Sequence, residues 1–239
     1  MITILTELIM TVKDTVSLEN SNPVKSTPIK RRTKGEKTRE KILIAAIEVL
    51  ALNGIKGTTH RAIASHADLQ LSLTTYYFKD IQELINQAFK LNSKHILARG
   101  DGILSTAFSA ITQIEKKELR KIAVKETLCK QLSNMISMYL IDNIKHEAIS
   151  LAVEQLMFTE IQVTPELRTL AQEHELAQLI PYEQLCSFFN KINPALDAKI
   201  MHTVFSQLKY SQLSKQVNID TVLIEQTTRR VIAWIMAIK

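Results

Sequence analysis

The chain has 239 residues, enough for one large or two modest domains with a true hydrophobic core. Apolar residues make up 46% of it, which excludes wholesale disorder, and five glycines and five prolines are too few turn formers for a many-stranded β protein. The formal net charge of +6 is concentrated: residues 25–94 hold 13 Lys/Arg against 6 Asp/Glu, residues 95–239 hold 16 against 15, and residues 1–24 hold 1 against 3.

The abundance of Leu, Ile, Ala, Lys, Glu and Gln predicts an all-α protein. In chain order, residues 1–34 read as a flexible basic extension. Pro23 and Pro28 interrupt any helix there, and Lys25, Lys30, Arg31, Arg32 and Lys34 supply the charge. A first helix is expected from about Glu36 to Asn53, with Ile42, Ala45, Ala46, Val49 and Leu50 on one buried stripe. Gly54 stands where a left-handed cap would end it. A short second helix starts after Thr58 or Thr59 and ends near His66, carrying Ile63 and Ala64 inward. Ala67-Asp68-Leu69 is a tight connection to a third short helix, roughly Gln70–Tyr77. Asp80 with Glu83 then forms a capping-box start for a longer helix reaching His95 or beyond.

Farther on, helices are expected over 103–115, 118–142, 145–161, 165–190, 195–213 and 219–238. Gly100-Asp101-Gly102 is read as a helix break and Pro181 as a break or kink within 165–190. The domain division expected is 1–34 for the extension, 35–80 for a small head and 81–239 for a larger helical domain.

Two short helices joined by three residues and backed by a preceding helix form a helix-turn-helix. In that arrangement the second helix enters the DNA major groove while the first crosses the backbone. The basic surplus falls on this same unit, as a polyanion-binding surface requires. The stretch Thr38-Arg39, Ile42-Leu43, Ala45-Ala46, Gly54, Thr58-Thr59, Ile63-Ala64, Ala67, Leu69, Tyr76-Tyr77-Phe78-Lys79 and Glu83-Leu84 resembles the DNA-binding domain of the tetracycline-repressor (TetR) family of bacterial regulators. The resemblance covers about 50 residues, Arg39 to Phe89, without gaps. Beyond it, the chain shares only length and helical character with the family's ligand-binding and dimerisation domain.

The resemblance implies a homodimeric repressor of a pseudo-palindromic double-stranded operator, released by a small-molecule inducer. Thr59, His60 and Arg61 would open the first motif helix against the backbone. Gln70 would begin the recognition helix, with Leu71, Ser72, Leu73, Thr75 and Tyr76 facing bases. Tyr77 and Lys79 would grip phosphate. Departures from the family pattern occur at Asp68, which replaces a turn glycine; at Ser72, another frequent glycine; at Thr75, a frequent tyrosine; and at Ile81, a frequent lysine. Leu71, Leu73 and Thr75 suit thymine methyls, so A·T pairs are expected to matter in the operator. The alternative is an architectural or protein-regulated DNA-binding factor with no small-molecule inducer.

For the larger domain, Met135, Met138, Tyr139, Met157 and Phe158 are the expected ligand-pocket residues, methionine being the apolar side chain that adapts best to irregular space. The last two helices carry a surplus of apolar residues, among them Ile200, Val204, Leu208, Val222, Ile232, Trp234, Ile235 and Ile238. The surplus suits a dimer surface.

No catalytic constellation, no metal spacing and no cofactor loop is found, so no enzyme, metal or cofactor is expected. His174, flanked by Glu173 and Glu175, is read as part of a solvated helix face. Cys129 and Cys186 match no disulfide framework, Met1–Val12 lacks a basic leader region, and no run approaches the ~18 apolar residues of a membrane span. A cytoplasmic protein with no membrane partner is expected.

Overall fold

The structure is a computed structural model that describes residues 34–115, 117–160, 165–190, 192–215 and 218–238. Arg31, Arg32 and the rest of the basic arm before Lys34 lie outside the described residues. Among those described there are nine α-helices, one 3-10 turn and no strand. The helices are α1 (Lys34–Gly57), α2 (His60–His66), α3 (Leu71–Tyr77), α4 (Ile81–Thr112), α5 (Ile122–His146), α6 (Ala148–Glu160), α7 (Glu166–Phe189), α8 (Pro194–Leu213) and α9 (Thr221–Ile235), with the 3-10 turn at Glu118–Arg120 between α4 and α5. The all-α expectation is met.

The helix starts follow from local chemistry. Thr59 caps α2 by accepting the Ala62 N–H on its hydroxyl oxygen, and Asp80 caps α4 by accepting the Glu83 N–H at 2.8 Å. The Glu83 carboxylate returns to the Lys79 N–H, also at 2.8 Å, so the expected capping box forms one residue wider. Asn193 and Asp220 cap α8 and α9 in the same way.

Two breaks differ from expectation. Gly54 takes a positive φ of 65°, but the helix resumes after this kink and runs to Gly57. The Gly100-Asp101-Gly102 segment does not break α4, and the expected 103–115 helix is its continuation. Two helical glycines cost about 1 kcal/mol each relative to alanine, which packing along a 32-residue helix can offset. A Cβ at Gly100 would come to 3.6 Å from the Tyr139 hydroxyl, an ordinary van der Waals approach to α5. The expected 165–190 span is the single helix α7, which runs through Pro181 and leaves the Ala177 carbonyl without its helical donor.

Apolar side chains gather in two clusters. One joins Ile42, Val49 and Leu50 of α1 with Ile63 of α2, Phe78, and Leu84 and Phe89 of α4, and extends to Met157 of α6 and Leu167 of α7. The other joins α5 (Leu128, Leu132, Leu140), α8 (Met201, Phe205) and α9 (Ile224, Ile232, Ile235) with the far end of α4 at Ala107 and Ile111. The core of α1–α3 is thus continuous with α6 and α7. No helix among the described residues is long and apolar enough to cross a membrane.

Candidate nucleic-acid interface and ligand cavity

The turn between α2 and α3 has a definite geometry. The Leu69 N–H donates to the Ala64 carbonyl at 2.9 Å and the Asp68 N–H to the Ser65 carbonyl at 3.3 Å, with Asp68 itself at φ 50°. That is the Schellman pattern, which needs a left-handed residue where Asp68 stands. Asp is one of the few non-glycine residues that tolerates the conformation, so the turn forms without the usual glycine.

Thr74 is fully buried and Phe78 closes α3 in the core, with the Arg39 guanidinium 4.9 Å from its ring centroid. These anchors leave the opposite side of α3 to solvent. Gln70, Leu71, Ser72, Thr75 and Tyr76 are exposed together, and Tyr76 most of all, at 79%. Tyr77 is half-buried and packs edge-on against Tyr76, ring centroids 5.0 Å apart, bracing it outward. Leu73, like Tyr77, is half-buried and packs in part against the core. Thr59, Arg61 and Lys79 are exposed beside this surface, and Thr59 is also the α2 cap. His60 is half-buried, and its Nδ1 is shielded with no hydrogen-bond partner among the described residues.

A cavity of about 60 Å³ lies between α4, α5, α7 and α8. Of the residues expected there, Tyr139 lines it. Met138 is 72% exposed and outside it. Met157 is core with residues of α1, α2 and α4, Phe158 packs against that same core, and Met135 lines an open groove between α4 and α5 instead. Helix rotation decides this: Ile136, Tyr139 and Leu140 share the side of α5 that lines the cavity, and at about 100° per residue Met138 falls on the opposite side.

The polar part of the cavity wall is Gln178, Tyr182, His202 and Lys209 with Tyr139 and Asp101. Behind it runs a buried chain. His174 Nε2 donates to Glu154 Oε1 at 2.8 Å and Gln178 Nε2 donates to the same oxygen at 2.7 Å. His174 Nδ1 pairs with the Ser93 hydroxyl at 2.7 Å, and His202 Nε2 donates to Gln178 Oε1 at 2.6 Å. The Lys209 ammonium lies 3.8 Å from Glu154 Oε2. His174 is therefore not on a solvated face but 1% exposed. Its neighbours Glu173 and Glu175 point away along the helix, so their charge said nothing about its own surroundings.

Burial alone would raise the Glu154 pKa, but Lys209, His174 and Gln178 outweigh it and hold the carboxyl at about 2. Burial pushes the Tyr139 and Tyr182 hydroxyls above their ordinary range, keeping both protonated at neutral pH. Burial and then the Lys209 charge hold His202 below its usual value. Burial likewise pushes the Cys186 thiol up to about 12, a structural rather than reactive cysteine. Among the described residues no group of three His, Cys, Asp or Glu is placed to hold a metal.

On α8 and α9, Leu208, Ile232 and Ile235 are core, whereas Leu196, Ile200, Val222, Leu223 and Trp234 are exposed by 38–59%. The apolar surplus is therefore an exposed set on these two helices.

No family model and no curated protein matches the chain. Solved structures do. A TetR-family transcriptional regulator from Mesorhizobium loti MAFF303099 matches with a TM-score of 0.61 at 15% identity, over 86% of this chain and 98% of that one. A TetR-family member from Streptomyces coelicolor A3 matches with 0.58 at 20% identity, over 82% and 98%. The multidrug binding protein EbrR, in complex with proflavin, matches with 0.50 at 18% identity, over 81% and 99%. The chain has the fold of these TetR-type regulators.

Proposed function

We propose that this protein is a TetR-type transcriptional regulator: a homodimer that reads a pseudo-palindromic operator with α3 and is released by a small molecule bound in the larger domain. The observation that carries the reading is the exposed set Gln70, Leu71, Ser72, Thr75 and Tyr76 on a short helix anchored by Thr74 and Phe78, within the most basic part of the chain. Such a helix fits a major groove, with Thr59, Arg61 and Lys79 positioned for phosphates. The fold shared with TetR-type regulators supports the same assignment. The larger domain reads as residues 81–239, with residues 35–80 as the reading head.

The exposed apolar residues of α8 and α9 support a two-fold dimer, which supplies the second head for the second half-site. The cavity supports ligand control, and α4 links the two functions because it leaves the head at Ile81 and lines the cavity at Leu97 and Leu104. A ligand changes DNA affinity only by its differential affinity for the two head spacings. Ser93, also on α4, bonds His174, so the buried polar chain grips this connecting helix too.

The narrowness of the cavity favours one rival, a DNA-binding factor regulated by a partner protein on the exposed apolar faces. One experiment addresses both. Purified protein is expected to shift DNA upstream of its own gene, and a metabolite screen should find a compound that releases it. Failure to select any sequence from a random duplex pool would sink the DNA-binding reading. Selection without any releasing compound would favour the partner-protein reading.

A further inference from the structure

We propose that the cavity between α4, α5, α7 and α8 takes a small organic acid, with its carboxylate on Lys209 and its apolar body against α4 and α5. The inference deepens the reading of this cavity as the ligand site and rests on it.

Lys209 decides the charge of the ligand. It is 9% exposed yet lies on the cavity lining. An ammonium has three donors, and a buried one needs acceptors. Among the described residues its counter-charge is Glu154 Oε2 at 3.8 Å, beyond hydrogen-bond length, so its donors have no acceptor there. Glu154 cannot play the corresponding part for a cation. It is absent from the lining: its Oε1 is taken by His174 and Gln178, and its Oε2, buried without a hydrogen-bond partner among the described residues, has the Lys209 ammonium 3.8 Å away. The other acid of the wall, Asp101, is exposed, where solvent screens it.

The remaining wall suits the rest of such a molecule. The Tyr139 and Tyr182 hydroxyls stay protonated and can donate to a second carboxylate oxygen. Leu97, Leu104, Ile136 and Leu140 offer an apolar surface to a hydrocarbon body. Size follows from volume. At about 60 Å³ the cavity is far below the roughly 300–1,000 Å³ of a site for a drug-sized ligand, so the molecule it takes is small. Among organic acids that means a short-chain monocarboxylic acid.

The test is isothermal titration calorimetry on the full-length protein with sodium butyrate, butyramide and butylammonium chloride at matched ionic strength. Butyrate is expected to bind saturably, and the neutral and cationic analogues at least about tenfold more weakly, the range of a hydrogen bond to a charged group. Lys209→Met alone strands Glu154, so it is combined with Glu154→Gln, and folding is checked by thermal melting. The double variant should lose the preference for butyrate over butyramide, while Lys209→Arg should keep it. Equal affinity for butyramide, preference for butylammonium, or no binding of any of the three would overturn the proposal. Gel shifts on the same preparation separate the two readings. Loss of DNA binding with butyrate bound supports both; DNA that stays bound under every compound while butyrate binds refutes only the ligand-released regulator. DNA released by some other compound, with butyrate inert, refutes only the acid.

Discussion

Replacing Glu154 by Ala should be among the most destabilising single changes in the larger domain. The substitution removes the acceptor of the His174 and Gln178 hydrogen bonds and leaves Lys209 buried without its counter-charge. Breaking a buried ion pair from one side costs about 3–5 kcal/mol. For a protein of this size that is roughly 6–20 °C in melting temperature. The carboxyl pKa gives an independent handle on the same interaction. It falls from 4.5 to about 2 on folding, which corresponds to about 3 kcal/mol. Because the folded value is the lower one, this stabilisation is present above about pH 4.5 and is lost as pH falls toward 2. Urea unfolding followed by circular dichroism, at fixed protein concentration because the stability of any oligomer depends on it, measures both effects. The stability gap between wild type and Glu154→Gln should close between about pH 5 and pH 2. Glu154→Ala with Lys209→Met should cost about 1–3 kcal/mol less than the sum of the single variants. Additive costs together with a gap independent of pH would refute the ion-pair reasoning.

Asp68→Val places a β-branched residue at φ 50° and should destabilise the head by about 1–2 kcal/mol, whereas Asp68→Gly should be tolerated; denaturation and operator affinity should fall together. Charging the exposed apolar set with Ile200→Glu and Trp234→Glu should shift sedimentation from dimer to monomer and weaken operator binding, and an unchanged dimer would exclude this face. Deleting residues 1–34 should reduce the log–log salt slope of DNA binding by about one for each phosphate the arm neutralises, and an unchanged slope would mean that the arm does not touch DNA.

The head was legible in the sequence because its signals are local. A cap, a three-residue turn and a capping box each lie within a few residues, and Thr59, Asp68 and Asp80 perform the roles their chemistry implies. Leu73 is only half-exposed because on a seven-residue helix one step of rotation from the buried Thr74 brings a side chain partly against the core. The helix breaks at Gly54 and Gly100–Gly102 were misplaced for the opposite reason. Glycine propensity is local, but whether a helix continues through it is settled by what packs alongside.

The cavity wall depended on pairings that no local pattern contains. Ser93, Glu154, His174 and His202 come from α4, α6, α7 and α8, and the bonds among them span from 20 to 81 positions in sequence or pass through Gln178. Methionine adaptability pointed to the wrong side chains because it describes how a residue fills space, not where space is left. A more useful signal was present on α8. His202 and Lys209, seven residues apart, share the helix side that also carries Met201, Phe205 and Leu208, all buried. Polar groups on a buried stripe must find partners or meet a cavity, because an unpaired buried charge is too costly to retain. On α8 they do both: His202 reaches Gln178, and Lys209 stands between Glu154 and the open space.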